Sequence, residues 1–178
     1  MAPHDTAPEP QSSNPGCVII SGFVASGKTW LTANANQLRI SDYNVLDLDS
    51  ALFPKDTDGK RGSDFAPSYL AKVKDSIAPN TIILISTHQE IRSALVQDSL
   101  SYALVYPDDN LQEEWMRRLH ARDSPESLVN IVRDNWSKML SGCQAQDGCD
   151  HFLLQEGQYL SDIVEDIIGH MDSVDGIS

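Results

Sequence analysis

Eight consecutive residues, Gly22-Phe23-Val24-Ala25-Ser26-Gly27-Lys28-Thr29, carry the spacing G-x-x-x-x-G-K-[ST]. That spacing suits a phosphate chain. The glycines let the backbone close around an anion with several N–H groups turned inward. Lys28 can reach the outer phosphates, and the Thr29 hydroxyl can ligate Mg²⁺. Gly22, Phe23, Val24, Ala25, Ser26, Gly27, Lys28 and Thr29 are therefore the expected contacts of a bound nucleotide's phosphate chain. Lys28 is also catalytic, and it is expected to face solvent in the empty loop.

The second chemical element is Asp47-Leu48-Asp49. Two acids at i and i+2 of a strand emerge on one side. Phosphoryl transfer to an alcohol needs one carboxylate near the metal and another to orient or deprotonate the hydroxyl. Asp47 is assigned to the metal with Thr29, and Asp49 to the acceptor. Sequence alone leaves open which of the two leans towards the loop. The alternative is a turn in which Asp49 caps a helix.

Arginines occur next in Glu113-Glu114-Trp115-Met116-Arg117-Arg118-Leu119-His120-Ala121-Arg122. Arg118 and Arg122 lie one helical turn apart on one face. A guanidinium can neutralise a transferring phosphoryl group or stack on adenine. Both are catalytic candidates, and Arg118 is also a nucleotide contact. The alternative is pairing of Arg117 and Arg118 with Glu113 and Glu114 along the helix. His88, with Arg92 one turn on, is placed beside the acceptor. Trp30, Trp115 and Trp136 read as packing residues.

These groups need a scaffold that brings them to one edge. Apolar runs alternate with helical patterns, which predicts a parallel sheet covered on both faces. Strands are expected over residues 16–21, 44–49, 81–86, 102–106 and 151–155. Helices are expected over 28–38, 68–76, 87–96, 110–121, 124–140 and 160–171. The run Thr81-Ile82-Ile83-Leu84-Ile85 is apolar on both faces and must be central. The polar stretch between residues 51 and 67 is expected to form a loop over the site. In an open parallel sheet the ligand edge is the carboxyl edge.

The 178 residues hold 13 bases and 26 acids, a net charge of −13. One domain over residues 16–171 is expected. Residues 1–15, rich in proline and polar residues, read as a disordered tail, and residues 172–178 as a frayed end. The acidic balance argues against extended nucleic-acid contact. No apolar run is long enough to cross a membrane. Cys17, Cys143 and Cys149 form no C-x-x-C pair, and an odd count suits a reducing, cytoplasmic compartment.

With the loop, the Asp-x-Asp and the arginines in this order, the chain resembles the small P-loop kinases. That superfamily includes the adenylate, shikimate and gluconate kinases. Gly22 to Thr29 matches their nucleotide loop. Asp47-Leu48-Asp49 is similar to the Asp-x-Asp of the shikimate kinase group, which implies a first acid near Mg²⁺ and a second on the acceptor. Arg117, Arg118 and Arg122 fall where the superfamily carries lid arginines. The stretches Ser86-Thr87-His88-Gln89-Glu90-Ile91-Arg92 and Glu156-Gly157-Gln158-Tyr159-Leu160-Ser161-Asp162 also resemble phage and bacterial P-loop proteins of unassigned substrate. The resemblance implies a three-layer α/β/α fold with a five-stranded parallel sheet in the order 2-3-1-4-5. It implies ATP and Mg²⁺ as cofactors and a small-molecule acceptor, with a nucleoside or nucleotide leading. No acceptor pattern of the superfamily occurs between residues 51 and 80. The competing reading is an ATP-binding or ATPase accessory protein without a small-molecule acceptor. A GTPase is disfavoured because no Asn-Lys-x-Asp occurs.

Overall fold

The computed structural model describes residues 16–48, 53, 55, 57, 58 and 60–175. The expected tail over residues 1–15 and the candidate Asp49 lie outside them.

Short runs of Val, Ile and Leu bounded by polar turns form five parallel strands. They are β1 (Cys17–Gly22), β2 (Asn44–Asp47), β3 (Thr81–Ile85), β4 (Ala103–Pro107) and β5 (Asp150–Leu154). Their order is β2-β3-β1-β4-β5, as expected. Every residue of β3 and β4 is buried, which is why these runs are apolar without alternation. Register places Ile20 beside Leu84, and Leu84 beside Asp47. The loop leaving β1 and the acid ending β2 therefore reach the same carboxyl edge.

Among the described residues, seven α-helices connect and cover the sheet: α1 (Lys28–Asn34), α2 (Phe65–Asp75), α3 (Gln89–Gln97), α4 (Gln112–Ala121), α5 (Glu126–Asp134), α6 (Trp136–Gln144) and α7 (Leu160–Asp175). The first crossover runs towards one edge of the sheet and the next three run the other way. Right-handed connections therefore put α1 on one face and α2 to α6 on the other. α7 packs with α1 and over β1 and β4, while α2 packs with α3 and α6 covers β4. No helix among the described residues is long and apolar enough to cross a membrane.

Several boundaries differ from expectation. α2 begins at Phe65, so Pro67 sits inside its first turn rather than ahead of the helix. There its missing N–H is one the helix could not satisfy anyway. The single helix expected over residues 124–140 is two, broken at Asn135 with φ −115° and ψ 14°. The Asn135 side-chain amide donates to the Ile131 carbonyl at 2.8 Å, which satisfies the end of α5 and permits the break. α1 stops at Asn34 and continues as one 3-10 turn, Ala35–Gln37. α7 extends to Asp175, beyond the expected end at residue 171.

Candidate nucleotide and acceptor site

The loop after β1 is held from three sides. Phe23 N–H donates to the Val105 carbonyl at 2.9 Å, pinning the loop to β4. The Phe23 ring is fully buried and meets Trp115 and Trp136 edge-on, with centroids 6.4 and 5.8 Å away. Trp115 Nε1 donates to the Val24 carbonyl at 2.7 Å, and Leu160 N–H donates to the Ser26 carbonyl at 2.9 Å. Phe23 thus serves the loop from below; its side chain is not part of the cleft wall.

Two glycines are needed by local geometry. Gly27 has φ +97°, and a Cβ there would come within 3.3 Å of the Tyr159 ring. A Cβ on Gly22 would fall 3.0 Å from Ser26 Oγ and 3.1 Å from the Lys28 stem. Ala25 also adopts a left-handed conformation, φ 59°, without glycine's freedom. Ser26 is fully buried, and its hydroxyl has no hydrogen-bond partner among the described residues. An orphaned buried hydroxyl in a loop of this spacing suits a phosphate oxygen. The residues present therefore fit a nucleotide phosphate chain.

Lys28 is half-buried, where the sequence suggested a solvent-facing side chain. Its ammonium donates to the carbonyls of Gly22 at 2.6 Å and Phe23 at 3.2 Å. Thr29 Oγ1 donates to Asp47 Oδ2 at 3.1 Å. A hydroxyl and a carboxylate together at the mouth of a phosphate loop suit Mg²⁺, which takes few protein ligands beside phosphate and water.

The loop opens into a cleft of about 1080 Å³. One wall carries Asp47, Leu48, Lys55, Arg61, Ser86, Thr87 and His88; the other carries Arg118, Arg122, Leu128, Ile131, Met139 and Tyr159. Its described lining holds five bases (Lys28, Lys55, Arg61, Arg118, Arg122) and one acid, Asp47. The whole chain has the opposite balance, 13 bases to 26 acids. The first wall is fixed from behind by Tyr69, whose hydroxyl donates to the Leu48 carbonyl and accepts from Ser86 N–H at 3.3 Å. The tyrosine ties the ends of β2 and β3 together. His88 meets the Phe65 ring edge-on at 5.6 Å. Burial, and then the cationic Arg61, Lys55 and Lys28, hold its imidazole below the ordinary 6.5, against an opposing pull from Glu90.

The arginines separate into different roles. Arg118 is 92% buried, its guanidinium stacked between the rings of Trp115 at 4.1 Å and Tyr159 at 3.9 Å. It pairs with Glu114 and donates to the Gln158 carbonyl at 2.7 Å. Glu114 in turn accepts from Gly157 N–H at 3.1 Å. Arg118 thus borders the cleft while joining α4 to the turn before α7. Arg122 is exposed on the cleft wall. Arg117 is not part of that wall.

Arg92 departs from its expected place beside the acceptor. It is buried, and donates to the carbonyls of Thr87 at 3.1 Å and Gly142 at 2.8 Å and to Gln146 Oε1 at 2.8 Å. It is not part of the cleft lining and joins α3 to α6, because a buried guanidinium needs several acceptors and the Gly142 carbonyl and Gln146 side chain supply two of them. Trp115 and Trp136 pack as expected. Trp30 does not: it is 53% exposed and lines the cleft. Sequence reading misses Tyr159, which sets the loop and Arg118; the Arg118–Glu114 pair is the alternative it offered for this helix. Gly157, with φ +74°, is the turn signal ahead of Tyr159 that marks the segment.

A central β1 feeding a phosphate loop, in a parallel sheet of order β2-β3-β1-β4-β5, defines a P-loop-type α/β fold. No family model and no curated protein matches the chain. Among solved structures it is similar to one from the PezAT chromosomal toxin–antitoxin system of Streptococcus pneumoniae. That likeness has 12% identity over 93% of this chain and 87% of the other, with a TM-score of 0.39. At that level it carries no argument about activity.

Proposed function

We propose that this chain is a Mg²⁺-dependent phosphotransferase that moves the γ-phosphoryl group of ATP to a small-molecule hydroxyl or phosphate, a nucleoside or nucleotide leading. The observation that carries the reading is the 3.1 Å contact between Thr29 Oγ1 and Asp47 Oδ2 beside an intact phosphate loop. It joins the loop's metal-binding hydroxyl to a carboxylate from a different strand. An isolated glycine-rich turn has no need of that partner.

In this reading the backbone from Gly22 to Gly27 and the Ser26 hydroxyl hold the phosphates, and Lys28 neutralises charge that grows during transfer. Thr29 and Asp47 would hold Mg²⁺, which would supply charge neutralisation on the phosphate chain. The acceptor oxygen forms a bond to the γ-phosphorus as the bond to the β–γ bridging oxygen breaks, and ADP leaves. The hydroxyl proton passes to Asp49 or to His88, which is neutral near pH 7 and has a ring nitrogen lone pair for it. Arg122 is the arginine assigned to the phosphoryl group. Arg118 is a positioning residue that fixes α4 against the loop. A cytoplasmic site of action belongs to the same proposal, on its free thiols.

The test is ADP formation with ATP and Mg²⁺ against a panel of nucleosides, nucleotides and hydroxy acids. Acceptor-dependent turnover supports the proposal. ATP hydrolysis that no acceptor stimulates would favour the ATPase accessory reading instead.

A further inference from the structure

Arg92 is 4% exposed, and among the described residues no carboxylate pairs with it. Taking a guanidinium out of water is costly, and an apolar side chain of similar volume often serves stability as well. The gain from this arginine is geometric. Its planar fork meets acceptors on three segments: the Thr87 carbonyl before α3, the Gly142 carbonyl in α6 and the Gln146 side chain after it. A Cβ on Gly142 would fall 3.6 Å from Arg92 Nη2, so α6 lies directly against the guanidinium. Thr87 lines one wall of the cleft with Ser86 and His88. Met139, on the other wall, lies one turn before Gly142 on the same helix. The buried fork therefore braces one wall against the helix that carries part of the other.

We propose that Arg92 is a positioning residue: it fixes the Thr87–His88 peptide against α6 and so sets the aim of the His88 imidazole into the cleft. On either side of that peptide the chain is already anchored. Ser86 N–H donates to the Tyr69 hydroxyl at 3.3 Å, and the Ser86 carbonyl accepts from Ser21 Oγ at 3.1 Å. The His88 carbonyl accepts from the N–H groups of Ile91 at 3.1 Å and Arg92 at 3.0 Å. Between these anchors the Thr87 carbonyl accepts from Arg92 Nε at 3.1 Å. A peptide unit is planar, so holding that carbonyl also holds the His88 nitrogen. With the start of α3 fixed on the other side, the direction of the His88 Cα–Cβ bond follows. The imidazole so placed meets the Phe65 ring edge-on at 5.6 Å. That its aim serves proton transfer rests on the phosphotransferase reading; the positioning does not.

The experiment follows the His88 ring protons by NMR in the full chain, assigned by their loss in His88→Gln. Spectra are taken near pH 8, where the ring is neutral. The Phe65 ring current shifts these signals and reports where the imidazole stands. Arg92→Met keeps the apolar stem and removes the fork, and it should displace the signals clearly. Arg92→Lys should restore them only in part, since one ammonium cannot serve three acceptors in a plane. Gln146→Ala removes an acceptor from the far end of the brace and should displace them in the same direction by less. Ile167→Val, a core change in α7 on the opposite face of the sheet, should lower stability and leave them in place. Signals that stay put in Arg92→Met and Gln146→Ala overturn the positioning, as does an equal displacement in Ile167→Val. If Arg92→Met does not fold, Gln146→Ala against Ile167→Val still decides. Where an acceptor is turned over, Arg92→Met should lower turnover by roughly 10²-fold with ATP binding unchanged. Displaced signals with full turnover support the positioning and remove His88 from the transfer instead.

Discussion

The Lys28 ammonium lies 2.6 Å from the carbonyl oxygen of Gly22, at the opposite lip of the same loop. The carbonyls of Gly22 and Phe23 are thus among the groups that hold this charged amine at the mouth. An entering phosphate chain offers it charged oxygens instead, which are stronger partners. The exchange needs no rearrangement of the core, because the loop is anchored independently through Phe23, Val24 and Ser26.

Lys28→Ala should therefore separate catalysis from folding. Loss of a preorganised charge at the transferring group costs on the order of 3–4 kcal/mol, a fall of about 10²–10³ in turnover. The two amine–carbonyl contacts contribute about 1 kcal/mol to stability. Turnover and thermal unfolding measured side by side check both halves. Full activity in the variant would remove the phosphotransferase reading.

Thr29 and Asp47 share a hydrogen bond, whereas Asp49 is assigned to the other substrate. Asp47→Asn and Thr29→Val should each raise the Mg²⁺ concentration needed for half activity. Asp49→Asn should lower turnover and leave ATP affinity nearly unchanged, since it acts on the acceptor. Mg²⁺ titrations of activity and direct ATP binding distinguish the two patterns. If neither aspartate variant loses activity, the Asp-x-Asp is a turn feature and His88 becomes the proton acceptor to test.

The sheet is readable from sequence because its signal is local. The unbroken apolar run of β3 announces a strand buried on both faces, and the phosphate-loop pattern fixes the turn and helix after β1. Asp47 is readable for the same reason, since strand ends in parallel sheets share an edge. Arg92 is not, because its partners lie on α6, fifty residues away at Gly142, and no spacing rule reports so distant an acceptor. Trp30 reads wrongly as packing because the helical pattern of α1 is only seven residues long, too short to show which face is buried. The anchoring of the loop by Trp115 and Leu160 is equally non-local.

His88 gives a pH dependence with a definite sign. Its folded-state midpoint lies below the ordinary 6.5, through burial first and then Arg61, Lys55 and Lys28, with Glu90 opposing. Between that depressed value and 6.5 the unfolded chain binds the proton and the folded chain does not. Stability is then fully present above about pH 6.5 and is lost as pH falls towards the folded midpoint. Urea unfolding from pH 7.5 down to about 5.5 should show the decline, and His88→Gln should flatten that part of it. An unchanged slope in the variant would assign the effect to other groups.

Arg118 and Arg122 sit one turn apart, at the end of α4, yet their environments predict opposite phenotypes. Arg118 is stacked between Trp115 and Tyr159, pairs with the half-buried Glu114, and holds the Gln158 carbonyl. Arg118→Ala strands Glu114 beside the Gly157 N–H and loosens the turn that meets Gly27 and Ser26. Breaking such a buried pair costs roughly 3–5 kcal/mol, so thermal unfolding should shift strongly downwards. ATP affinity should weaken with it, because the loop loses one of its three supports. Arg118→Lys should not rescue the variant, since an ammonium neither stacks on both rings nor reaches two acceptors in one plane. Arg122 is exposed and has no such network among the described residues, so Arg122→Ala should change stability by less than about 0.5 kcal/mol. Its effect should fall on turnover, by roughly tenfold or more, with ATP binding little changed. Denaturant unfolding, nucleotide binding and turnover on the two variants decide the matter. A stable but inactive Arg118→Ala with a fully active Arg122→Ala would reverse the assignment and make Arg118 the arginine that meets the phosphoryl group.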